Sequence, residues 1–141
     1  MKVGKIEGYI NNIIDSGKGV FMPLIDPGEQ GPEEALEMAK IMEEGGADLI
    51  LLGGSTDLKT NIVSDTAKLI KENVKIPIHL FPGGPSNVTT NADSLYFMSL
   101  LNSKNPYWIT GIQSLGSAVI KKIGLESIPT AYLIFEPGET V

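Results

Sequence analysis

At 141 residues, 42% of them hydrophobic and 20% charged, the chain has the make-up of a soluble globular sequence with material for one core, and a single domain over residues 1–141 is expected. All 11 basic residues are lysine against 17 acidic ones, a net charge of -6; without arginine there is no bidentate grip on phosphate or guanine, so nucleic acid is not an expected partner. The absence of cysteine excludes disulfides, thiolate metal sites and thiol nucleophiles, and with no leader-like segment and no apolar run of about 18 residues the expectation is a cytoplasmic chain with no transmembrane segment.

Along the chain, apolar residues first recur at helical spacing: Val3, Ile6, Tyr9, Ile10, Ile13 and Ile14 predict an amphipathic helix over 3–14. A first strand is expected over Gly19–Ile25. "GPEEALEMAKIMEEGG" then reads as a helix, with Pro32 suited to its first turn, Glu33 and Glu34 at the positive end of its dipole, and Gly45 and Gly46 as its stop. "ADLILLGG" is an apolar run of strand length, and "TNIVSDTAKLIKEN" repeats the helical pattern at Ile62, Thr66, Leu69 and Ile70. "IPIHLFPGG" and "ADSLYFMSL" follow as strands. "NPYWITGIQSLGSAVIKKIG" carries Trp108, Ile112, Leu115, Val119 and Ile123 at helical spacing, with Lys121 and Lys122 in the last turn and Gly124 as the stop. "TAYLIFEPG" is expected to be the fifth strand.

Strands apolar on both faces and separated by amphipathic helices predict a parallel sheet covered by helices, an α/β architecture. One connection is unusual. Only the stretch "PGGPSNVTTN" joins the third and fourth strands, which is too short for a crossover with a normal helix. If these strands are parallel, the crossover is extended or holds one short helical turn.

Each strand ends in polar or glycine-rich residues: "IDPGE", "LGGST", "LFPGG", "MSLLNS" and "FEPGE". In parallel α/β folds the carboxyl ends of all strands share one side, and in barrels that side carries the active site. Asp26, Ser55, Gly83, Ser99, Asn102 and Glu136 are therefore expected on one rim. Asp26 before Pro27 and Gly28 is either a turn former or a ligand. Ser55 or Thr56 in "GGST" is a candidate helix N-cap, which leaves metal contact open. His79, inside an apolar strand, reads as a hydrogen-bonded core histidine. Tyr96, Phe97, Tyr107 and Trp108 are core residues or walls of an apolar groove. Glu136 is either a site residue or an exposed group near the terminus.

"LIDPGE", "LLGGST", "LFPGG", "ADSLYFMSLLNSKNPYWITGIQ" and "LESIPTAYLIFEPGETV", in this order and at these spacings, resemble the archaeal geranylgeranylglyceryl phosphate synthases and their bacterial relatives, the heptaprenylglyceryl phosphate synthases. The resemblance covers nearly the whole chain. It implies an eight-stranded (β/α) TIM barrel, with the N-terminal helix and first five β/α units present here. It also implies a prenyltransferase that joins geranylgeranyl diphosphate to sn-glycerol 1-phosphate and releases pyrophosphate, forming the first ether bond of archaeal membrane lipids. Two further readings are kept: a homologue using a longer prenyl diphosphate, and a non-catalytic half-barrel that retains the Mg-diphosphate side or an oligomerisation surface.

The resemblance assigns Mg2+ to Asp26, which is also the catalytic candidate, and to Ser55. Gly54, Gly83, Ser99, Asn102, Tyr132 and Glu136 are the candidate substrate-binding residues. The chain departs from the family pattern in two ways. Gly28 and Glu29 stand where the family continues "IDP" with an acidic residue. A full barrel takes about 250 residues, and the later strands, which carry the glycerol phosphate site, have no counterpart, so no residue here is assigned to it. Five strands cut from a barrel have two open apolar edges, and a homo-oligomer is expected to cover them.

Overall fold

The alternation of strand and helix predicted from periodicity is what the chain adopts. A computed structural model describes residues 3–54 and 61–135. Its strands are β1 (Leu24–Ile25), β2 (Ile50–Leu52), β3 (Ile78–Leu80), β4 (Ser94–Leu100) and β5 (Glu126–Tyr132), and its helices are α1 (Lys5–Asp15), α2 (Pro32–Glu44), α3 (Ile62–Lys71) and α4 (Ile112–Ile123). All neighbouring strands are parallel, in the order β1-β2-β3-β4-β5. A doubly wound sheet reverses its order at a switch point, whereas a barrel wall adds each strand beside its predecessor. The fold is thus a partial (β/α) barrel.

Pairing register separates the two faces of the sheet. Ile25, Leu52, Leu80 and Leu95 form one row across β1 to β4, and with Ile50 and Ile78 they pack under Ala35 and Ala39 of α2 and Val63, Ala67 and Ile70 of α3. Burying each such aliphatic side chain contributes roughly 1.5–3 kcal/mol, so the helix side of the sheet is the main stabilising layer. The next row, on the other face, runs Leu24, Leu51, His79, Ser94 and Glu126. Polar groups stand there because this side faces the barrel interior, where partners lie across the barrel.

Glu126 shows how such a partner is used. Its carboxylate accepts the N–H of Ile6 (3.0 and 2.9 Å) and of Glu7 (2.8 Å), so it caps the N-terminus of α1, where unpaired donors and the helix dipole favour an anion. Gly4 makes this possible, because a Cβ there would overlap the Glu126 carboxyl group. α1 is thereby seated at the amino end of β5.

Three expectations about boundaries change. The first strand, expected over Gly19–Ile25, is confined to Leu24–Ile25, the two residues that pair with β2. The fifth strand was expected over "TAYLIFEPG" but runs over Glu126–Tyr132. Gly124, at φ +70, ends α4 in the left-handed conformation and returns the chain to the sheet at once, so all seven residues of β4 find partners from Ser94↔Glu126 to Leu100↔Tyr132. Pro129, which lacks an N–H, falls opposite Phe97 in this strand, an outer position where proline is tolerated. The long amphipathic segment over 105–124 is also divided: Tyr107–Gly111 form a π-helical turn before α4 begins. The short crossover is as expected, since β3 and β4 are parallel and the segment between them holds a single 3-10 turn, Pro85–Asn87.

Candidate functional site

A crossover without a helix leaves the outer side of β4 uncovered between α3 and α4. The result is a cleft of about 460 Å³, within the range of small-molecule sites. Val88 of the crossover, Leu95 and Phe97 of β4, and Trp108, Ile112, Gly116 and Ile120 of the turn and α4 wall it. Residues at strand ends line it too: Gly54 after β2, Phe81 to Gly84 after β3, and Tyr132 and Ile134 at the end of β5. Most of the lining is apolar, and the strand-end part contributes Gly54, Gly83 and Gly84, an arrangement suited to a hydrocarbon chain with a polar head.

Asp26 directly follows β1, and the N–H of Gly53 donates to Ile25 O (2.8 Å), which sets Gly54 and Asp26 at the same end of adjacent strands. The Asp26 backbone carbonyl accepts the N–H groups of Glu29 and Gln30 (both 3.0 Å), and its Oδ1 accepts the Gly28 N–H (2.8 Å). The turn reading is what these bonds describe: the side chain shapes a turn. Its half-buried carboxylate nevertheless takes only that one hydrogen bond among the described residues, leaving oxygen lone pairs for a hard cation.

No group of three metal-ligating side chains occurs among the described residues. Mg2+ takes one or two protein oxygens and completes its shell with water and phosphate oxygens, so the test falls on single carboxylates. Asp26 fits such a role. Glu29 is exposed on the turn. Ser55 and Glu136 lie outside the described residues.

Of the remaining candidates, Gly54, Gly83 and Tyr132 come together at the cleft, whereas Ser99 and Asn102 do not. The Ser99 hydroxyl donates to Ile109 O (2.5 Å). Asn102 donates to Ile134 O (2.6 Å) and accepts the Ile134 N–H (3.3 Å), which ties the end of β4 to the segment after β5. Among the aromatics, Tyr96, Phe97 and Trp108 line the cleft, and Tyr107 stands exposed with its ring edge-on to Trp108 (centroids 4.9 Å apart). His79 is fully buried, with Nδ1 2.6 Å from Ser94 Oγ, as a core histidine should be.

Sequence reasoning missed Gly116 and Gln113. A glycine inside a helix is a detectable signal, since it costs stability that packing or function must justify. Gln113 carried no such signal, because its partners are the carbonyls of Met98 (2.5 Å) and Trp108 (3.1 Å), and these are visible only in the fold.

The chain is similar to known proteins in sequence and fold. The geranylgeranylglyceryl phosphate synthase of Pyrococcus abyssi is 48% identical over 141 residues, all of this chain and 56% of its own length. Among solved structures, the wild-type synthase from Thermoplasma volcanium superposes with a TM-score of 0.85 at 39% identity, covering 93% of this chain and 53% of that one. The (S)-3-O-geranylgeranylglyceryl phosphate synthase from Thermoplasma acidophilum, in complex with its substrate sn-glycerol-1-phosphate, gives 0.87 at 34% identity, covering 99% and 56%. The chain thus spans about half the length of the relatives it matches. Residues 12–141 match the PcrB family, and the chain belongs to it.

Proposed function

We propose that this chain carries the prenyl-diphosphate side of a Mg-dependent prenyltransferase that joins geranylgeranyl diphosphate to sn-glycerol 1-phosphate, giving geranylgeranylglyceryl phosphate. The observation that carries the reading is the apolar cleft beside the helix-less crossover, lined at the strand ends by Gly54, Gly83 and Tyr132. At about 0.8 kcal/mol per buried CH₂, each five-carbon unit laid in such a cleft contributes roughly 3–4 kcal/mol. The chain then anchors the substrate while its head group stays at the rim.

In the reaction the bond between the allylic C1 and the diphosphate oxygen breaks with its electron pair on the released diphosphate, the C3 hydroxyl oxygen of the acceptor bonds C1, and the hydroxyl proton passes to the diphosphate or to solvent. The cleft walls hold C1 at the mouth and keep water from it, which favours the ether over hydrolysis. The Asp26 carboxylate, with Ser55 as second candidate, would hold Mg2+, which when bound neutralises charge on the departing diphosphate. The Asx turn keeps that carboxylate in place. No residue of this chain is assigned to the acceptor's phosphate. A cytoplasmic site for the reaction is part of this proposal; among the described residues no helix is long and apolar enough to cross a membrane.

Trp108 is the sole tryptophan and lines the cleft, so its fluorescence reports occupancy. Titration with geranylgeranyl diphosphate is expected to show tighter binding with Mg2+ than without it. Asp26→Asn keeps the oxygen that accepts the Gly28 N–H but removes the charge; it should abolish the Mg2+ dependence and weaken binding by about tenfold, leaving the fold intact. Binding of inorganic pyrophosphate as tight as that of the prenyl diphosphate would overturn the cleft assignment, and an unaltered Mg2+ dependence in Asp26→Asn would overturn the metal assignment.

A further inference from the structure

The turn that carries Trp108 is not α-helical, and two side chains fasten it. A π-helical turn takes its carbonyls out of the regular ladder and occurs frequently at functional sites. In Tyr107–Gly111, the Ile109 carbonyl accepts the Ser99 hydroxyl and the Trp108 carbonyl accepts Nε2 of Gln113, which also donates to Met98 O. Ser99 and Met98 belong to β4, and Gln113 lies in the first turn of α4. Two successive carbonyls of the turn are thereby clamped against the strand that forms the opposite wall of the cleft. Gln113 does this at a cost: its Oε1 is buried and has no partner among the described residues, a penalty that an apolar side chain of similar size would not incur.

We propose that Ser99 and Gln113 are positioning residues for the cleft. By clamping the π turn to β4 they hold the Trp108 side chain as a fixed wall, and this fixed wall lets the cleft convert chain length into affinity. The inference rests on the prenyl-diphosphate reading for its ligand, while the clamp itself is a property of the free protein. Neither side chain contacts the reacting atoms in this account, and both act through Trp108.

The test uses the full chain and its single tryptophan. Fluorescence anisotropy decay of the ligand-free protein reads the local motion of Trp108, and titrations with geranyl, farnesyl and geranylgeranyl diphosphate, with pyrophosphate as reference, read the gain in affinity with length. In Ser99→Ala and Gln113→Leu, the local motion of Trp108 should increase. The affinity ratio between the longest and shortest chains should fall by about fivefold or more, with pyrophosphate binding unchanged. Ser99→Thr retains the hydroxyl and should restore both readouts, which separates loss of the clamp from general damage to the fold. If Gln113→Leu fails to fold, the Ser99 pair still decides the matter.

Unchanged anisotropy, or increased Trp108 motion with an unchanged length ratio, would overturn the inference. A wild-type affinity that does not grow with chain length would instead overturn the prenyl reading, and the anisotropy alone would then support or overturn the clamp.

Discussion

His79 stands in the middle of the inner row of the sheet, its ring edge-on to Tyr96 with centroids 4.1 Å apart. Burial lowers its pKa to about 4, and the negative charge of Glu126 offsets this only in part. The neutral imidazole is thus the folded form. In the unfolded chain the same group titrates near 6.5, so between these values the unfolded state binds the extra proton. Stability from this residue is complete above about pH 6.5 and is lost as pH falls toward 4, by roughly 3 kcal/mol. Urea unfolding at several pH values across that window should show the loss, and His79→Gln should lessen its slope. Parallel curves for the two proteins would show that His79 does not set it.

α4 illustrates a conflict between an element's own stability and the space beside it. Gly116 lies buried in mid-helix and lines the cleft, and a Cβ there would meet only Ile120 Cδ1, at 3.8 Å. Room for a methyl group means that Gly116→Ala should raise helix stability by about 1 kcal/mol, measured as a higher melting temperature. Gly116→Phe should instead fill the cleft and weaken geranylgeranyl diphosphate binding by about tenfold or more, as expected when a drug-sized pocket loses much of its volume, while pyrophosphate binding stays constant. Equal affinity in wild type and Gly116→Phe would mean that the chain does not run past this helix. The absent helix between β3 and β4 belongs to the same scale, since a crossover reduced to one 3-10 turn is what opens the cleft.

At the scale of the molecule, β1 and β5 are the outer strands of the described sheet. Apolar side chains stand exposed beside both: Leu24 at 50%, Leu133 at 48% and Phe135 at 75%. Outer strands with apolar neighbours are templates for pairing with another chain. Prepared as a separate polypeptide, the 141-residue chain would cover them by self-association, which sedimentation equilibrium over a range of concentrations should show. A monomer at every concentration would count against it, and Phe135→Lys should weaken association if this margin takes part.

Local pattern in the sequence was enough for the order and type of the elements, for Pro32 at the start of α2 and Gly124 at the end of α4, and for the helix-less crossover, because each depends on residues close together in the chain. It also put Asp26 and Gly83 at the carboxyl ends of their strands, since strand ends in a parallel sheet share one side whatever the details of packing; their roles in binding stay proposals. Tertiary structure decided the rest. Glu126 caps α1 from 120 residues away, Ser99 and Asn102 turn from the rim to hold backbone carbonyls, and β5 starts earlier than its apolar run suggested because β4 offers seven partners. These outcomes depend on register and on which element lies opposite, and the carboxylate, hydroxyl and amide side chains involved have no periodicity to reveal their partners before the chain is folded.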